Sequence, residues 1–345
     1  MVGIRDVAKK AGVSVSTVSL VINNNGYVSD NMRARVEKAM QNLNYVPNEL
    51  ARNFFRNRTN IIGLIVPTIR HPFFGTFAAA VQHEVAEHSQ NLMLCSIADT
   101  QNGELQYIDM LRRKIMDGII MSAHTSHGSD FWSAIQRPIV AFDRYLGDGI
   151  ASFGSDHTQG GHLIADLLIR TNARHVVMVG GPRSQFTDLG DNTTFPTVRY
   201  FSALEEQLHE AGIEFHYVEA GEVHELDQYA YAMHDVFEHY SDVDAVVSSD
   251  IGAVYCLREA YARGIEVPRD LQIIAYDGTY VLDTACKKVT CVVQDIPLLA
   301  KRVVDGMQQA IVGNIDTMSS DVADGTVEET TPVSLRLGET TRIVQ

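Results

Sequence analysis

The 345-residue sequence lacks several features that would each indicate a class of protein. It has no CxxC pair, and its four cysteines are too scattered for a disulfide framework. No apolar run approaches the roughly 18–20 residues that a membrane helix requires. Charges within the first ten residues leave no apolar segment for a secretory signal. These absences predict a cytoplasmic protein with reduced thiols and no membrane partner.

Motifs of common enzyme classes are also missing. The sequence contains no GxGxxG or GxxxxGKS/T phosphate loop and no GxSxG nucleophile elbow. The stretch "HEVAEH" resembles a zinc-protease motif, but His83 and His88 are five residues apart. That spacing separates them by about 140° around a helix, unlike the i,i+4 pair that binds zinc. We therefore expect no catalytic centre, no cofactor and no metal.

Charge is distributed unevenly along the chain. The formal net charge is -15, yet residues 1–60 contain nine Lys or Arg and four Asp or Glu, a net charge of +5. The rest of the chain therefore carries -20. A basic segment on an acidic body is consistent with binding of a polyanion at one end, and equally with chance clustering.

The basic segment has the pattern of three short helices. Apolar residues recur at helical spacing from residue 4 to residue 11, and Gly12 can adopt the positive φ of a sharp turn. Ser14 and Ser29 are suitable N-caps for the second and third helices. Such a unit is a helix-turn-helix, whose second helix enters the DNA major groove. The inward-facing positions are Ile4, Val7, Ala8 and Ala11, then Val18, Val21 and Ile22, then Met32, Val36, Met40 and Leu43.

The segments "IRDVAKKAGVSVSTVSLVINNNGYVS" and "LNYVPNELAR" resemble the DNA-binding headpiece of the lactose-repressor/galactose-repressor (LacI-type) family of bacterial transcription regulators. The resemblance implies a DNA-binding domain at residues 1–46, with its contacts in the second helix and its cap. Val15 and Ser16 would read bases. Leu20 replaces the basic residue common in the family, and it can touch a thymine methyl but cannot hydrogen-bond guanine. Thr17, Ser19 and Asn23 suit phosphate or sugar contacts, and the cap residue Ser14 is the remaining expected DNA contact of this segment.

Residues 47–60, "PNELARNFFRNRTN", resemble the family's hinge. The resemblance implies a short helix on operator DNA, with Asn48 as a cap and Arg52 beside the DNA. Phe54 occupies the position of the family's minor-groove wedge, and Phe is an accepted wedge residue. The alternative is that Phe54 and Phe55 pack on the body.

The remaining residues, 61–345, alternate between short apolar strands and amphipathic helices. "NIIGLIVPTI", "DGIIMSA" and "LQIIAYDG" are among the predicted buried strands. Strand, helix, strand at this spacing predicts a doubly wound α/β fold, and the number of strands exceeds one comfortable sheet. The body resembles the family's two-lobed core, built like a periplasmic sugar-binding protein. The resemblance implies crossings between lobes near residues 158, 291 and 320, which gives lobe 1 about 61–158 and 292–320 and lobe 2 about 159–291 and 321–345.

The resemblance also implies a ligand in the cleft between the lobes. Aromatic faces together with Asp, Arg and Gln suit a small polyol, because carboxylates accept hydrogen bonds from hydroxyl groups while Arg and Gln donate them. Each strand-end acid could instead cap a loop. Pocket candidates beside the strand ends are Phe73, Phe74, Asp143, Arg144, Asp277 and Gln294.

Two departures from the family pattern affect the expected pocket. Ser249 and Asp250 stand where the family usually has Asn and Asp. Pro196 stands where it usually has Arg. Either Arg199 supplies the lost guanidinium from one turn away, or the pocket binds a different ligand.

The sequence as a whole therefore predicts an effector-controlled, sequence-specific DNA-binding regulator. The most specific prediction is that it represses carbohydrate genes. The alternatives are the same fold with a non-sugar effector, or a solute-binding module without a DNA role. One headpiece contacts one half-site, so we expect a homodimer on double-stranded operator DNA. The C-terminal "LRLGETTRIVQ" has no apolar heptads, which argues against a coiled-coil tetramer tail.

Overall fold

The computed structural model of the chain describes residues 2–47, 58–99, 103–316 and 328–343. Contacts divide the chain into two compact units, Met1–Asn60 and Ile61–Gln345. The first unit is helical and the second contains every strand of the described residues.

The described part of the first unit contains three helices, α1 (Ile4–Ala11), α2 (Val15–Asn23) and α3 (Asp30–Asn42). Gly12 ends α1 with φ 64°, and the Ser14 side chain caps α2 by accepting a hydrogen bond from the Thr17 amide. Arg35 of α3 donates to the Ala11 carbonyl at 2.6 Å and so fixes the turn between α1 and α2. The predicted helix-turn-helix geometry is therefore present.

The core of this unit is built mainly from the predicted inward-facing positions. Val7, Val18 and Val36 are fully buried, which confirms the assigned faces of all three helices. Met32 is an exception, because its side chain is exposed, while Ala39 takes a buried position on α3. Position 32 shares the helical face of Val36 and Ala39, but it lies in the first turn of α3, at the end of this core.

The second unit contains two six-stranded sheets covered by helices on both faces. The strands are β1 (Ile61–Val66), β2 (Asn91–Ser96), β3 (Gly118–Met121), β4 (Ile139–Phe142), β5 (Ser152–Ser155), β6 (His175–Gly180), β7 (Glu214–Glu219), β8 (Ala245–Ser249), β9 (Gln272–Asp277), β10 (Thr290–Val293), β11 (Glu328–Thr331) and β12 (Ser334–Arg336). The helices are α4 (Pro72–Glu87), α5 (Glu104–Arg112), α6 (Ser129–Ser133), α7 (His157–Arg170), α8 (Val198–Glu210), α9 (Gln228–His239), α10 (Asp250–Ala262) and α11 (Ile296–Asp316), with 3-10 turns at Arg183–Thr187 and Tyr280–Thr284.

Each sheet forms the centre of one lobe. Lobe 1 has the strand order β11-β5-β4-β3-β1-β2, and lobe 2 has the order β12-β10-β9-β8-β6-β7. All pairings are parallel except that of β10 with β12. In lobe 1, α4 and α11 pack on one face and α5 on the other. In lobe 2, α7 and α8 cover one face, and α9 and α10 the other. The predicted doubly wound α/β fold with two lobes is confirmed.

The crossings between lobes differ in part from the expected positions. The chain leaves lobe 1 between β5 and α7 and returns between β10 and α11, near the expected residues 158 and 291. The third crossing is not near residue 320, because β11 pairs with β5 in lobe 1 over Glu328–Thr331. Residues 332 and 333 make that crossing instead, before β12 joins lobe 2. A four-residue polar strand has no apolar pattern by which its sheet could be assigned from sequence.

Candidate functional site

The exposed surface of α2 carries the positions predicted to read DNA bases. Val15 and Leu20 expose 42% and 37% of their surface. Ser16 is exposed beside them, and Ser19 is half-buried. The face opposite the core is therefore available for contact, as the helix-turn-helix pattern predicts.

Several polar side chains of α2 already have partners within the unit. The Ser14 hydroxyl lies 2.7 Å from that of Ser16 and 2.9 Å from that of Thr17. The Asn23 amide donates to the Ser19 carbonyl at 2.9 Å. These bonds position the start and end of the helix. They do not test the DNA contacts expected of the same residues, which stay a prediction. Asn48, Arg52 and Phe54 of the expected hinge lie outside the described residues.

A cavity of about 470 Å³ lies between the two lobes, at the carboxyl ends of their strands. This is where open α/β sheets bind ligands, because loops and helix starts converge there. Most of the predicted pocket residues line the cavity. These are Phe73, Phe74, Asp143, Arg144, Ser249, Asp277 and Gln294.

Two chains of hydrogen bonds cross between the lobes beside the cavity. In the first, His157 Nε2 lies 3.0 Å from Asp143 and its Nδ1 lies 2.8 Å from the Tyr276 hydroxyl. In the second, Ser155 donates to Gln294 Oε1 at 2.6 Å, and Gln294 Nε2 donates to Asp277 at 2.7 Å. All of these side chains are buried. The wall of the cavity is therefore formed jointly by the two lobes, and its acids are held in fixed orientations.

Both cavity acids adopt backbone conformations that are uncommon for residues other than glycine. Asp143 has φ 45°, and Asp277 has φ 116°. Backbone conformations of this kind cluster at functional sites, where the surrounding packing maintains them. These conformations occur where β4 and β9 end, and both acids line the cavity there.

Burial raises the pKa of two acids, Asp277 in the cavity wall and Asp250 behind it. Burial, and next the nearby Asp250 carboxylate, raise the pKa of Asp277 well above its ordinary value. Burial raises the pKa of Asp250 to about 6. The hydrogen bond from Gln294 lowers the pKa of Asp277 but only partly offsets these two effects. The Asp277 carboxyl group therefore keeps its proton to a higher pH than an exposed aspartate does.

Three buried polar atoms of the cavity wall have no hydrogen-bond partner among the described residues. They are Arg144 Nε, His71 Nδ1 and Ser122 Oγ. The Arg144 guanidinium lies 4.4 Å from the centre of the Phe195 ring and donates to the Asp143 carbonyl. Burial lowers the pKa of Arg144 to about 10 and that of His71 to about 4, so at neutral pH the first is charged and the second is neutral. Buried polar groups are nearly always paired, so this wall is suited to a polar ligand.

Arg199 does not take the place of the missing family arginine. Its guanidinium pairs with Glu328 at 2.7 Å, is half exposed, and is not among the cavity-lining residues. Its neighbours Val198 and Tyr200 line the cavity, so the Arg199 side chain leaves α8 on a different face. The expectation that Arg199 supplies the pocket guanidinium is therefore wrong.

Asp250 also has a supporting position and does not line the cavity. Its carboxylate accepts hydrogen bonds from the Gly278 amide, the Thr279 amide and the Thr279 hydroxyl. These bonds hold the loop that follows Asp277. The preceding Ser249 caps α10 and lines the cavity.

Several cavity residues are absent from the predicted set. His124 follows the end of β3, Glu222 follows β7, and Tyr276 precedes Asp277 on β9, so the strand-end rule could have found them. Phe195 lies in a loop ahead of α8 and follows no strand. His71 precedes α4 at its N-cap, a position that sequence reasoning would assign to capping.

The pKa of Asp277 leads to a prediction for the ligand-free protein. In the unfolded chain Asp277 loses its proton near pH 4, whereas the folded state retains it to higher pH. Its contribution to the free energy of unfolding is therefore largest below pH 4 and is lost as pH rises through the folded pKa. Asp277→Asn keeps an oxygen for Gln294 and cannot ionise. We expect the melting temperature of Asp277→Asn to exceed that of the wild type by more at pH 7.5 than at pH 4.5. Each kcal/mol saved by not ionising the buried carboxyl group should raise the melting temperature by about 2–4 °C.

Thermal unfolding at several pH values tests this expectation, with the exposed Asp283→Asn in the same lobe as the control. A constant difference between Asp277→Asn and wild type from pH 4.5 to 7.5 would contradict it.

Among the described helices, not one combines the length and apolar composition that a membrane crossing requires. One unit of the chain is a helix-turn-helix and the other is a two-lobed α/β unit with a cleft of ligand size. Together they define a ligand-controlled DNA-binding regulator.

Comparison with known proteins agrees with this class. Residues 3–48 match the model of bacterial regulatory proteins of the lacI family, and residues 165–341 match a periplasmic binding protein-like domain. The chain is 32% identical over 306 residues to the sucrose operon repressor of Streptococcus mutans, covering 89% of this chain and 92% of that one. It is 34% identical over 279 residues to the ribose operon repressor of Bacillus subtilis, covering 80% and 82%. The fold is similar to that of the lac repressor dimer bound to operator and an anti-inducer, with a TM-score of 0.81, 21% identity and 99% of each chain covered.

The chain belongs to the lacI family of bacterial transcriptional regulators. The predicted family and the predicted class of DNA-binding regulator are confirmed. The family is not enzymatic, which agrees with the missing catalytic motifs.

Proposed function

We propose that the protein is a cytoplasmic, homodimeric repressor of carbohydrate genes, and that a sugar in the interlobe cavity controls its binding to operator DNA. The observation that carries the sugar assignment is the set of three unpartnered buried polar atoms, on Arg144, His71 and Ser122. A polyol offers both donors and acceptors at close spacing, so one ligand can satisfy all three. The related sucrose and ribose operon repressors, by their names, support the same ligand class.

The cavity also supplies apolar contacts suited to a sugar. Phe74 is half-buried at the cavity edge, and Phe195 lies under the Arg144 guanidinium. The C–H faces of a pyranose or furanose pack on such rings while its hydroxyl groups reach Asp143 and Asp277. A non-sugar effector without several hydroxyl groups would leave these polar atoms unsatisfied, at a cost of about 1–3 kcal/mol each.

For DNA, we propose that the exposed face of α2 lies in the major groove. Val15, Ser16 and Leu20 would contact base edges, and Ser14, Thr17, Ser19 and Asn23 the backbone. Asn48, Arg52 and Phe54 would extend the contact from the hinge. Since one α2 reads one half-site, two chains would bind a near-palindromic operator with half-sites about 34–36 Å apart.

The effector acts on DNA binding only through a difference in its affinity for two states of the protein. The two hydrogen-bond chains through His157 and Gln294 join the lobes next to the cavity, so a ligand that rearranges them changes how the lobes close. Lobe closure is the two-state element that a sugar could bias.

A screen of mono- and disaccharides by thermal shift, followed by titration of each hit against operator-bound protein, tests the proposed function. A cognate sugar raises the melting temperature, because it binds only the folded state, and changes the operator affinity. Sugars that leave both unchanged across the screen would contradict the sugar assignment, and a non-sugar metabolite that changes both would replace it.

The proposed reading of DNA by Leu20 gives a second prediction. Leu20→Arg places a guanidinium on the exposed face of α2, where it can pair with guanine. We expect the preferred operator to change at one base pair per half-site, with discrimination of about 1–3 kcal/mol, and non-specific affinity to rise. Selection of binding sites from random DNA measures both. Met32→Arg, also exposed but on α3, is the matched control for the added charge. An identical consensus for Leu20→Arg and wild type would exclude Leu20 as a reader.

A further inference from the structure

A cluster of metal-ligating side chains lies at the outer edge of lobe 2, away from the cavity. His175 is the first residue of β6, and Glu214 is the first residue of the edge strand β7. The two are paired directly in the sheet register, and His216 follows two residues along β7. Side chains of paired residues, and of residues two apart, lie on the same face of a sheet. The fold therefore brings together three potential ligands that are up to 41 residues apart in sequence.

The three side chains bring their ligating atoms close together. One nitrogen from each histidine and one carboxylate oxygen of Glu214 all lie within 4.8 Å of one another. The ligand atoms of a tetrahedral zinc site are about 3.3 Å apart, given bonds of about 2.0–2.1 Å. Glu214 is exposed and His216 is half-buried, so small rotations of these two can close the remaining distance.

His175 is buried, 5% exposed, and its Nε2 has no hydrogen-bond partner among the described residues. Its other nitrogen, Nδ1, lies 3.0 Å from the Asp242 carboxylate. A carboxylate accepts, so in the neutral imidazole Nδ1 carries the hydrogen and Nε2 presents its lone pair. Ligating histidines are commonly fixed in this way, with a carboxylate on the far nitrogen. The second, independent feature of the cluster is thus a buried, oriented and unused donor atom.

We propose that His175, Glu214 and His216 bind one divalent late first-row transition-metal ion, of which Zn²⁺ is the representative, with Asp242 orienting His175. Two imidazoles and one carboxylate match the ligand preference of this group of ions, whereas Mg²⁺ and Ca²⁺ prefer oxygen ligands alone. A water molecule completes the coordination. The ion links the exposed edge strand β7 to β6.

The metal site is distinct from the effector cavity. Gly180, at the carboxyl end of β6, lines the cavity, whereas His175 lies at the opposite end of the strand, about 17 Å away for five residues at roughly 3.3 Å each. The inference is independent of the sugar assignment, and its test uses neither sugar nor DNA.

The test is calorimetric titration of ZnCl₂ into the full chain, untagged and freed of metal with a chelator that is then removed. We expect one ion per chain and a raised melting temperature. His216→Ala and Glu214→Gln, both at partly exposed positions, should lower the zinc affinity at least about tenfold, and Asp242→Ala about 10–100-fold. His83→Ala, an exposed histidine of lobe 1, should bind zinc as the wild type does.

This control matters because the chain has 13 histidines, and scattered surface histidines bind zinc weakly. Circular dichroism establishes that each variant is folded before titration. The proposal is overturned if the wild type shows no saturable binding at micromolar zinc. It is equally overturned if folded His216→Ala and Glu214→Gln bind zinc with wild-type stoichiometry and affinity.

Discussion

Arg144→Met should lower the affinity for the effector about 10–100-fold without destabilising the effector-free protein. The guanidinium is buried, and its Nε has no partner among the described residues, so a bound ligand gains a charged hydrogen bond there. Hydrogen bonds to charged groups contribute about 1.5–3 kcal/mol, and 1.4 kcal/mol corresponds to a factor of ten. Methionine fills a similar length beside Phe195 and cannot donate.

The stability of effector-free Arg144→Met should be equal to or higher than that of the wild type. Burial lowers the pKa of Arg144 to about 10, which shows that the cavity disfavours the charged form. Replacing a buried, incompletely paired charge with an apolar side chain is often neutral or stabilising. We therefore expect an equal or higher melting temperature without effector, and a smaller increase on adding it.

Arg258→Met is the matched control for Arg144→Met. Arg258 also lies over an aromatic ring, 4.8 Å from the centre of Tyr255, but it is exposed and outside the cavity. Calorimetric titration of the sugar found in the screen measures both variants. Wild-type affinity in Arg144→Met would show that the ligand does not reach the guanidinium and would exclude the proposed orientation of the pocket.

Removing residues 1–60 should abolish operator binding and leave effector binding within about twofold of the full chain. The two units are separate in their contacts, and the whole cavity lies within the second. Specific DNA binding is typically at least a thousandfold tighter than non-specific binding, and it depends on the helix-turn-helix. The remaining residues carry a formal charge of -20, so the DNA phosphates repel them as well.

Gel-shift titration at two salt concentrations measures the loss, and the thermal shift with sugar shows that residues 61–345 remain folded. A full chain with Val15, Ser16 and Leu20 replaced by alanine is the matched comparison, because it keeps the basic charge of the segment. It should lose sequence preference yet keep salt-dependent non-specific binding. Sequence-specific operator binding by residues 61–345 alone would place the DNA-reading surface outside the helix-turn-helix.

Local patterns in the sequence determined the elements and the class of protein. The turn at Gly12, the cap at Ser14 and the spacing of Val18 and Val21 defined the helix-turn-helix, because each of these signals acts within a few residues. Apolar runs that alternate with amphipathic helices determined the doubly wound lobes. The acids at the ends of β4 and β9, Asp143 and Asp277, followed from the rule that the carboxyl ends of parallel strands form binding sites.

Only the tertiary structure decided which polar side chains remain available for a ligand. In the folded chain Arg199 pairs with Glu328, and Asp250 accepts hydrogen bonds from the loop after Asp277. Arg144 Nε has no hydrogen-bond partner among the described residues, and its guanidinium lies beside Phe195. The pairing of β11 with β5 moved the last crossing between the lobes to residues 332 and 333. These outcomes depend on contacts between segments far apart in sequence, where a rotation of one helix turn or a shift of one strand changes the partner. Windows of a few residues encode periodicity and caps, but they do not encode such long-range pairings.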